Sequence, residues 1–397
     1  MMVRRLLHLA GDPKPWRGRL KMSSSPTDEE RQASREEIER LRRRIDEIDQ
    51  KLVALLNERT RAALEIGHRK QAEGEEPYVP AREREVLEKV LAANRGPLSR
   101  SALLAIYREI MSAALSMEKR IAIAYLGPQA TFTHMAARSR FGENVTYRPF
   151  ESIAEVFAAV EKGRADYGVV PIENSIEGAV SHTLDEFVDT ELKICAEIYL
   201  PISHHLLTRD PSREVVKIYS NPQVFGQCRR WLLEHMPGVE LIPVSSTARA
   251  AELAAREPGS AAIASRLAGE LYGLKILEEN IQDELGNTTR FLVIGRKISG
   301  PSGRDKTSIL FGVKDKVGAL YEALGPFKRY NINMTKIESR PNRSKAWEYF
   351  FFVDIEGHAN DESVQKALRE MRSHCTILKV LGSYPKGSLE PSDPHGG

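Results

Sequence analysis

Residues 38–55 read IERLRRRIDEIDQKLVAL, with apolar Ile38, Leu41, Ile45, Ile48, Leu52 and Leu55 spaced 3, 4, 3, 4 and 3 apart. This spacing is the heptad seam of an α-helix. The pattern continues more weakly through Ala62, Ala63 and Ile66 until Gly74 and Pro77 stop it. A helix of about 35 residues spans roughly 50 Å. A rod of that length in so short a segment cannot bury its own seam, so it needs a partner, most simply a second copy of itself. Two shorter helical patterns follow, near 82–94 and 101–119. Residues 31–119 therefore read as an all-α, intertwined dimeric helical module.

From Ile121 the period changes. Short apolar strands at 121–126, 167–170, 261–264 and 291–294 alternate with helical stretches at 153–161 and 247–257, which is the signature of an open α/β sheet. Small polar residues end several strands and are expected to open helices: Thr131 and Thr133, Asn174 and Ser175, Ser220 and Asn221, Ser245 to Thr247, and Ser265. Helix N-termini offer free N–H groups to carboxylates or phosphates. Five such junctions in residues 121–296 suggest a cleft for an anionic small molecule, whereas any one alone is only capping. Gly300-Pro301-Ser302-Gly303 marks a linker over 297–306. Beyond it, residues 307–385 show a βαββαβ order: strands at 308–313, 335–340, 347–355 and 376–381, with helices after Val317-Gly318-Ala319-Leu320 and at 363–372. That is a ferredoxin-like plait. Residues 386–397 are a tail.

The chain has 397 residues, 58 basic and 55 acidic side chains, and a net charge of +3. That length implies two or three domains. The near-neutral balance argues against a general nucleic-acid coat but leaves room for local basic pockets. No apolar run reaches the ~18 residues of a transmembrane helix. Cys195, Cys228 and Cys375 are scattered and form no CxxC, which argues against a disulfide framework and fits a reducing cytosol. Residues 1–30 differ from the rest, with Arg4, Arg5, Arg17 and Arg19 before Ser23-Ser24-Ser25-Pro26. The favoured reading is a disordered leader, or a true start at Met22; an organellar transit peptide is the alternative. Adjacent His204 and His205 on an extended strand point to opposite faces and cannot chelate together, so no metal is expected. Cys228 lacks an identifiable base nearby in the sequence.

In the helical module, Arg59 and Lys70 lie eleven positions apart, on one helical face. Spacing alone does not separate a ligand site from a solvated face. Leu41-Arg42, Asp49, Leu55-Leu56, Glu58-Arg59, Gly67, Lys70 and Arg82-Glu83, however, resemble the helical chorismate mutases. Residues 121–296 resemble prephenate dehydratase through five motifs: Gly127-Pro128, Thr131-Phe132-Thr133, Pro171-Ile172-Glu173-Asn174-Ser175, Ser220-Asn221-Pro222-Gln223 with Gln227-Cys228, and Asn287-Thr288-Thr289-Arg290-Phe291. The plait resembles an ACT regulatory domain at Gly318-Ala319-Leu320 and Glu338-Ser339-Arg340-Pro341. Together the match covers about 31–385, in the order of the bifunctional chorismate mutase–prephenate dehydratases.

The resemblance implies a two-lobed, periplasmic-binding-protein-like α/β domain and a cofactor-free, cytoplasmic homo-oligomer that turns chorismate into phenylpyruvate. For the mutase step it implies that Arg42 and Arg59 clamp the carboxylates, one donated by the partner subunit. Lys70 then meets the ether oxygen, and Glu83 takes the ring hydroxyl with Arg82 nearby. Some relatives carry Gln where Glu118 stands, so Glu118 must be protonated to donate, and activity should decline as pH rises through its pKa. Val79 and Ala114 replace an Asp and a Ser of some relatives. For dehydration, Thr289 is the catalytic candidate, as proton donor or as positioner of the leaving hydroxyl. Asn174, Ser175, Ser220, Gln227 and Arg290 are candidates for orienting the carboxylates and keto group. Phenylalanine, the implied feedback inhibitor, would sit against Gly318, Ala319, Leu320, Glu338, Ser339, Arg340 and Pro341. Two readings compete: a dehydratase whose helical module is only a dimerisation arm, and a solute-binding protein.

Overall fold

The computed structural model describes residues 28–73, 78–284, 286–341 and 349–387. The chain divides into two compact units, residues 1–60 and 61–397. Helix α1 (Asp28–Ala72) is continuous and begins inside the expected leader; residues 1–27, and the expected stops at Gly74 and Pro77, lie outside the described residues. In the first unit, neighbouring turns are tied by exposed ion pairs such as Arg40–Glu37 and Arg42–Glu39, which solvent screens strongly. The seam Ile38, Leu41, Ile45, Ile48, Leu52 and Leu55 stays 43–60% exposed.

The second unit contains α2 (Pro80–Ala93) and α3 (Arg100–Glu118). Pro80 opens α2 with its ring-fixed φ, and the Ser99 hydroxyl accepts the Ala102 N–H to cap α3. The two helices dock on the domain that follows. Tyr78 sits against Phe141 and Tyr167, and the Ser112 hydroxyl donates to the Phe141 carbonyl at 2.7 Å.

Residues 122–295 form a two-lobed α/β domain. The first lobe contains β1 (Ala122–Leu126), α4 (Phe132–Phe141), β2 (Thr146–Phe150), α5 (Ile153–Glu161), β3 (Tyr167–Asn174), β4 (Gly178–Ala179), α6 (Ser181–Asp189) and β5 (Lys193–Pro201). The chain then builds the whole second lobe: β6 (His205–Thr208), β7 (Lys217–Ser220), α7 (Pro222–Gln227), α8 (Arg229–His235), β8 (Glu240–Pro243), α9 (Thr247–Arg256), β9 (Ser260–Ala264), α10 (Arg266–Tyr272) and β10 (Lys275–Glu278). It returns as β11 (Thr288–Gly295), inserted between β3 and β5. The sheet orders are β2-β1-β3-β11-β5 and β10-β6-β9-β7-β8.

Four of the five expected strand-to-helix junctions form. Thr131, Asn221, Ser246 and Ser265 each cap a helix through a side-chain oxygen. Three of these helices follow the parallel strands β7, β8 and β9, so their N-termini lie at one edge of the second sheet. The Ser265 hydroxyl donates to the Ala130 carbonyl, tying that edge to the first lobe. Asn174-Ser175 is the exception: it turns the chain from β3 into β4, and the Asn174 carbonyl oxygen accepts the N–H groups of Ile176 and Glu177.

Beyond the linker come β12 (Asp305–Gly312), α11 (Ala319–Arg329), β13 (Met334–Pro341), β14 (Tyr349–Glu356), α12 (Glu362–Met371) and β15 (Ile377–Pro385). They form an antiparallel sheet ordered β13-β14-β12-β15, the expected plait; Trp347, placed in its third strand from sequence, lies outside the described residues. The strands alternate with period 2. Ile309, Phe311, Val353 and Ile355 pack under α11 and α12 with Ala323, Phe327, Val364 and Met371. The opposite face turns Leu310, Phe352, Leu381 and Tyr384 into one cluster with Ile172, Leu184, Phe187, Ile194 and Leu292 of the first lobe. The approach is close at Gly382, where a Cβ would lie 2.8 Å from the Ile194 backbone nitrogen.

Candidate functional site

Strands β3 and β11 place Asn174 opposite Thr289. The Asn174 amide donates to the Thr289 hydroxyl at 2.9 Å and to the Asn287 side chain at 2.7 Å. Its carbonyl oxygen is occupied by two backbone N–H groups, so the amide orientation is determined by the network. Thr289 therefore accepts through its oxygen and keeps its own proton for another acceptor. Ser175 supports the same turn, its hydroxyl accepting the Thr288 N–H.

From this turn Glu177 reaches the second lobe, accepting from Gln227 at 2.9 Å and Gln223 at 3.2 Å. Gln227 in turn presents its oxygen 2.7 Å from His204 Nε2. Burial lowers the His204 pKa, partly opposed by the Gln227 bond, so the ring is neutral near pH 7 with its proton on Nε2. His204 Nδ1 is buried without a hydrogen-bond partner among the described residues, and the ring meets Phe132 edge-on. A chain of polar groups thus runs from Thr289 across the lobe boundary. Glu177, Asn287 and His204 were given no role from sequence. The signal for Glu177 and Asn287 was adjacency to motif residues, whereas His204 had none.

Two candidates turn elsewhere. Ser220 is fully buried and its hydroxyl donates to the Ile263 carbonyl, so it ties β7 to β9 and is not free to orient a carboxylate. Arg290 follows Thr289 on the strand and so faces the opposite side. Its guanidinium donates to Glu197 (2.8 Å), Asp354 (2.6 Å) and the Tyr384 hydroxyl (3.0 Å). Lys306 pairs with the same Glu197 at 2.8 Å, giving two buried cations against two buried carboxylates. Burial opposes ionisation of Arg290 and Asp354, but their mutual attraction wins, holding Arg290 well above and Asp354 below its ordinary value. Removing one member of such a pair costs about 3–5 kcal/mol. Arg290 is committed to the contact with the plait, not to substrate. Cys228 is fully enclosed, and burial pushes its thiol up to about 12, which leaves no thiolate for nucleophilic chemistry.

In the helical module, the end of α3 lies over α1 at Gly67. A Cβ on Gly67 would sit 2.6 Å from Glu118 Cδ, so only glycine lets the carboxyl lie there. Burial raises the Glu118 pKa, opposed by Lys70 and His68. Val79 and Ala114 supply no polar group, and Ala114 is buried. Glu83 does not stand open for a ligand as expected, because it lies 2.9 Å from Arg140 on α4, with Arg140 also bonded to the Tyr78 hydroxyl. Burial raises the Glu83 pKa against the pull of Arg140 and Arg108. Arg82 pairs with Glu85, and Arg42 with Glu39. In the first unit, Arg59 Nη1 is buried without a hydrogen-bond partner among the described residues.

In the plait, Gly318 has φ +79°, a left-handed turn that leads into α11. Arg340 does not wait for a ligand: it pairs with Asp185 on α6 at 3.2 Å. Ala319 is buried and Leu320 half-buried, while Glu338, Ser339 and Pro341 continue β13.

A two-lobed α/β domain with a polar rung at its lobe boundary, preceded by a helical module and packed on an ACT-type plait, defines a multidomain enzyme with an attached regulatory domain. The chorismate mutase type II family matches residues 41–119, the prephenate dehydratase family 123–299, and the ACT domain family 307–372. A bifunctional chorismate mutase/prephenate dehydratase of Aquifex aeolicus is 52% identical, over 89% of this chain and 99% of that relative. A prephenate dehydratase structure from Arthrobacter aurescens, in complex with L-Phe, is 35% identical with a TM-score of 0.63, covering 68% of this chain and 92% of that one. A structure described as a quorum-quenching acylase is 31% identical with a TM-score of 0.62, over 67% and 98%. The chain belongs to the bifunctional chorismate mutase/prephenate dehydratase family.

Proposed function

We propose that this chain performs two successive steps, chorismate to prephenate and prephenate to phenylpyruvate, and that phenylalanine binding at the plait inhibits it. The observation that carries this reading is the Asn174–Thr289 rung, which leaves the Thr289 proton available at the lobe boundary.

The first step is a pericyclic shift and needs no nucleophile. Its requirements are a compact substrate conformer and donors at the ether oxygen, where charge builds. By resemblance, Arg42 and Arg59 hold the carboxylates, Arg82 and Glu83 attend the ring end, and Lys70 donates to the ether oxygen. The desolvated Glu118 carboxyl is suited to donate alongside Lys70 in its protonated form. Taking the ring hydroxyl requires Glu83 to part from Arg140. The exposed heptad seam supports an intertwined homodimer that completes the mutase sites; fully burying each Leu or Ile contributes about 1.5–3 kcal/mol.

In the second step the ring carboxylate leaves as carbon dioxide, and its bonding pair forms the aromatic ring as the ring hydroxyl departs. One proton, supplied through Thr289, turns the departing hydroxide into water. Asn174 supports this by donating to the Thr289 oxygen, which makes the hydroxyl a better donor. Ser175 and Gln227 shape the turn and the lobe boundary, and Gly318 to Leu320 with Glu338, Ser339 and Pro341 are the proposed phenylalanine contacts. The protein is assigned to the cytoplasm, and its domains to 31–119, 121–296 and 307–385.

One assay tests the reading. Purified protein receives chorismate and no cofactor, and chorismate loss and phenylpyruvate gain are followed separately, with and without phenylalanine. Both should proceed, and phenylalanine should suppress phenylpyruvate. Persistent chorismate with conversion of supplied prephenate would reduce the helical module to a scaffold, and no turnover of either would bring forward the solute-binding reading.

A further inference from the structure

Arg290 and Glu173 face each other on β11 and β3, one rung from Thr289 and Asn174. At the next rung the register slips: Phe291 pairs with Pro171, which leaves Ile172 as an extra residue on β3. Such a bulge re-aims side chains beside functional sites. Here it lets Ile172 share the plait-facing cluster while Glu173 also meets plait residues. The Asn174–Thr289 rung connects to the lobe boundary. The Glu173–Arg290 rung is gripped by the plait, Arg290 by Asp354 at 2.6 Å and by Tyr384 at 3.0 Å, and Glu173 by Lys336 at 2.7 Å. Lys336 lies on β13, the strand that continues into Glu338-Ser339-Arg340-Pro341. A second tie from this strand is Arg340–Asp185. Around these charges lies a cavity of about 20 Å³, lined by Arg290, Lys336, Asp354, Ser308, Ile172 and Leu292 among others. Beside the apolar cluster, the junction is therefore held by ion pairs around a small gap, where charged side chains have room to shift.

We propose that Arg290 and Glu173 are positioning residues for dehydration: through Asp354 and Lys336 the plait determines how the β3–β11 rung presents Asn174 and Thr289. A change in the plait on binding phenylalanine then reaches the reacting proton through this rung, without any ligand entering the lobe boundary. This rests on the proposed roles of Thr289 and of the plait. Inhibition then requires that phenylalanine and prephenate favour different arrangements of this rung.

The test uses the full-length enzyme with Lys336→Gln and, separately, Asp354→Asn, both on the plait side and remote from the lobe boundary. Dehydratase kcat and KM are measured with supplied prephenate, mutase turnover with chorismate serves as the folding control, and phenylalanine is titrated in both inhibition and calorimetric binding. The expected result is a kcat drop of about tenfold, since small misplacements of a catalytic group act mainly on kcat, with KM changed less than about threefold and mutase turnover retained. Phenylalanine should still bind while its maximal inhibition falls. The proposal is overturned if both variants keep kcat within about twofold of wild type and an unchanged inhibition curve. Should Asp354→Asn not fold, Lys336→Gln carries the same test from a less enclosed position. A wild-type enzyme indifferent to phenylalanine overturns the plait's ligand and the transmission, leaving kcat to decide the positioning role. Full turnover in Thr289→Ala instead overturns the proposed function itself.

Discussion

Replacing Gly67 by alanine should stabilise α1 and still impair the mutase. Inside a helix, alanine is favoured over glycine by roughly 1 kcal/mol, so a purely structural reading predicts a neutral or stabilising change. The added Cβ, however, would lie 2.6 Å from Glu118 Cδ, 2.7 Å from Oε2 and 2.8 Å from Cγ, against 3.4–4 Å for ordinary contact. The carboxyl must therefore retreat by roughly 1 Å, and a displacement of that size at a catalytic group costs on the order of 100-fold, about 2.7 kcal/mol of barrier. Mutase kcat/KM should fall by about that factor, while dehydratase turnover of supplied prephenate stays unchanged and thermal stability does not fall. In a Glu118→Ala background the same substitution should have almost no further effect, because the two act through one contact. Mutase activity within about threefold of wild type in Gly67→Ala alone would refute the reasoning and remove Glu118 from the reaction.

Three further outcomes are expected. Glu118 donates only when protonated, and burial raises its pKa. Mutase kcat should therefore hold at low pH and fall up to tenfold per unit once pH exceeds that raised value, and Glu118→Gln should abolish this fall; an unchanged profile in Glu118→Gln would rule the group out. Thr289→Ala should lower dehydratase kcat by about 10²–10⁴-fold with mutase turnover intact, a result that retained dehydratase turnover would contradict. Ile45→Glu, at an exposed seam position, should leave the chain monomeric by light scattering and eliminate mutase before dehydratase activity; an unaltered oligomer would remove the seam from assembly.

The charged groups of the helical module were visible in the sequence, but their partners were not. The heptad seam was legible because helical periodicity carries it over short distances, whereas Gly67, Lys70 and Glu118 were singled out by the resemblance to the helical chorismate mutases. The pairing of Glu83 with Arg140 was not, since Arg140 comes from another domain. Similarly, Asn174-Ser175 has the composition of a helix cap, but β3 continues into a hairpin because β4 pairs back on it.

The sequence by itself determined the three modules and the strand and helix order of the plait, because these follow from periodicity and local residue choice, while the motif that contains Thr289 stood out by its resemblance to prephenate dehydratase. The tertiary structure alone decided which way each motif residue faces. Thr289 and Arg290 are adjacent letters of one motif, but the strand pleat separates them, one toward the lobe boundary and the other into a buried charge cluster with Asp354 and Lys306. Ser308 ends the polar run that opens β12 and Asp354 interrupts the apolar run of β14, and their positions make sense only once the second face of the plait is seen covered by the catalytic lobe. Contacts between residues far apart in sequence depend on how sheets stack, and no local pattern encodes that.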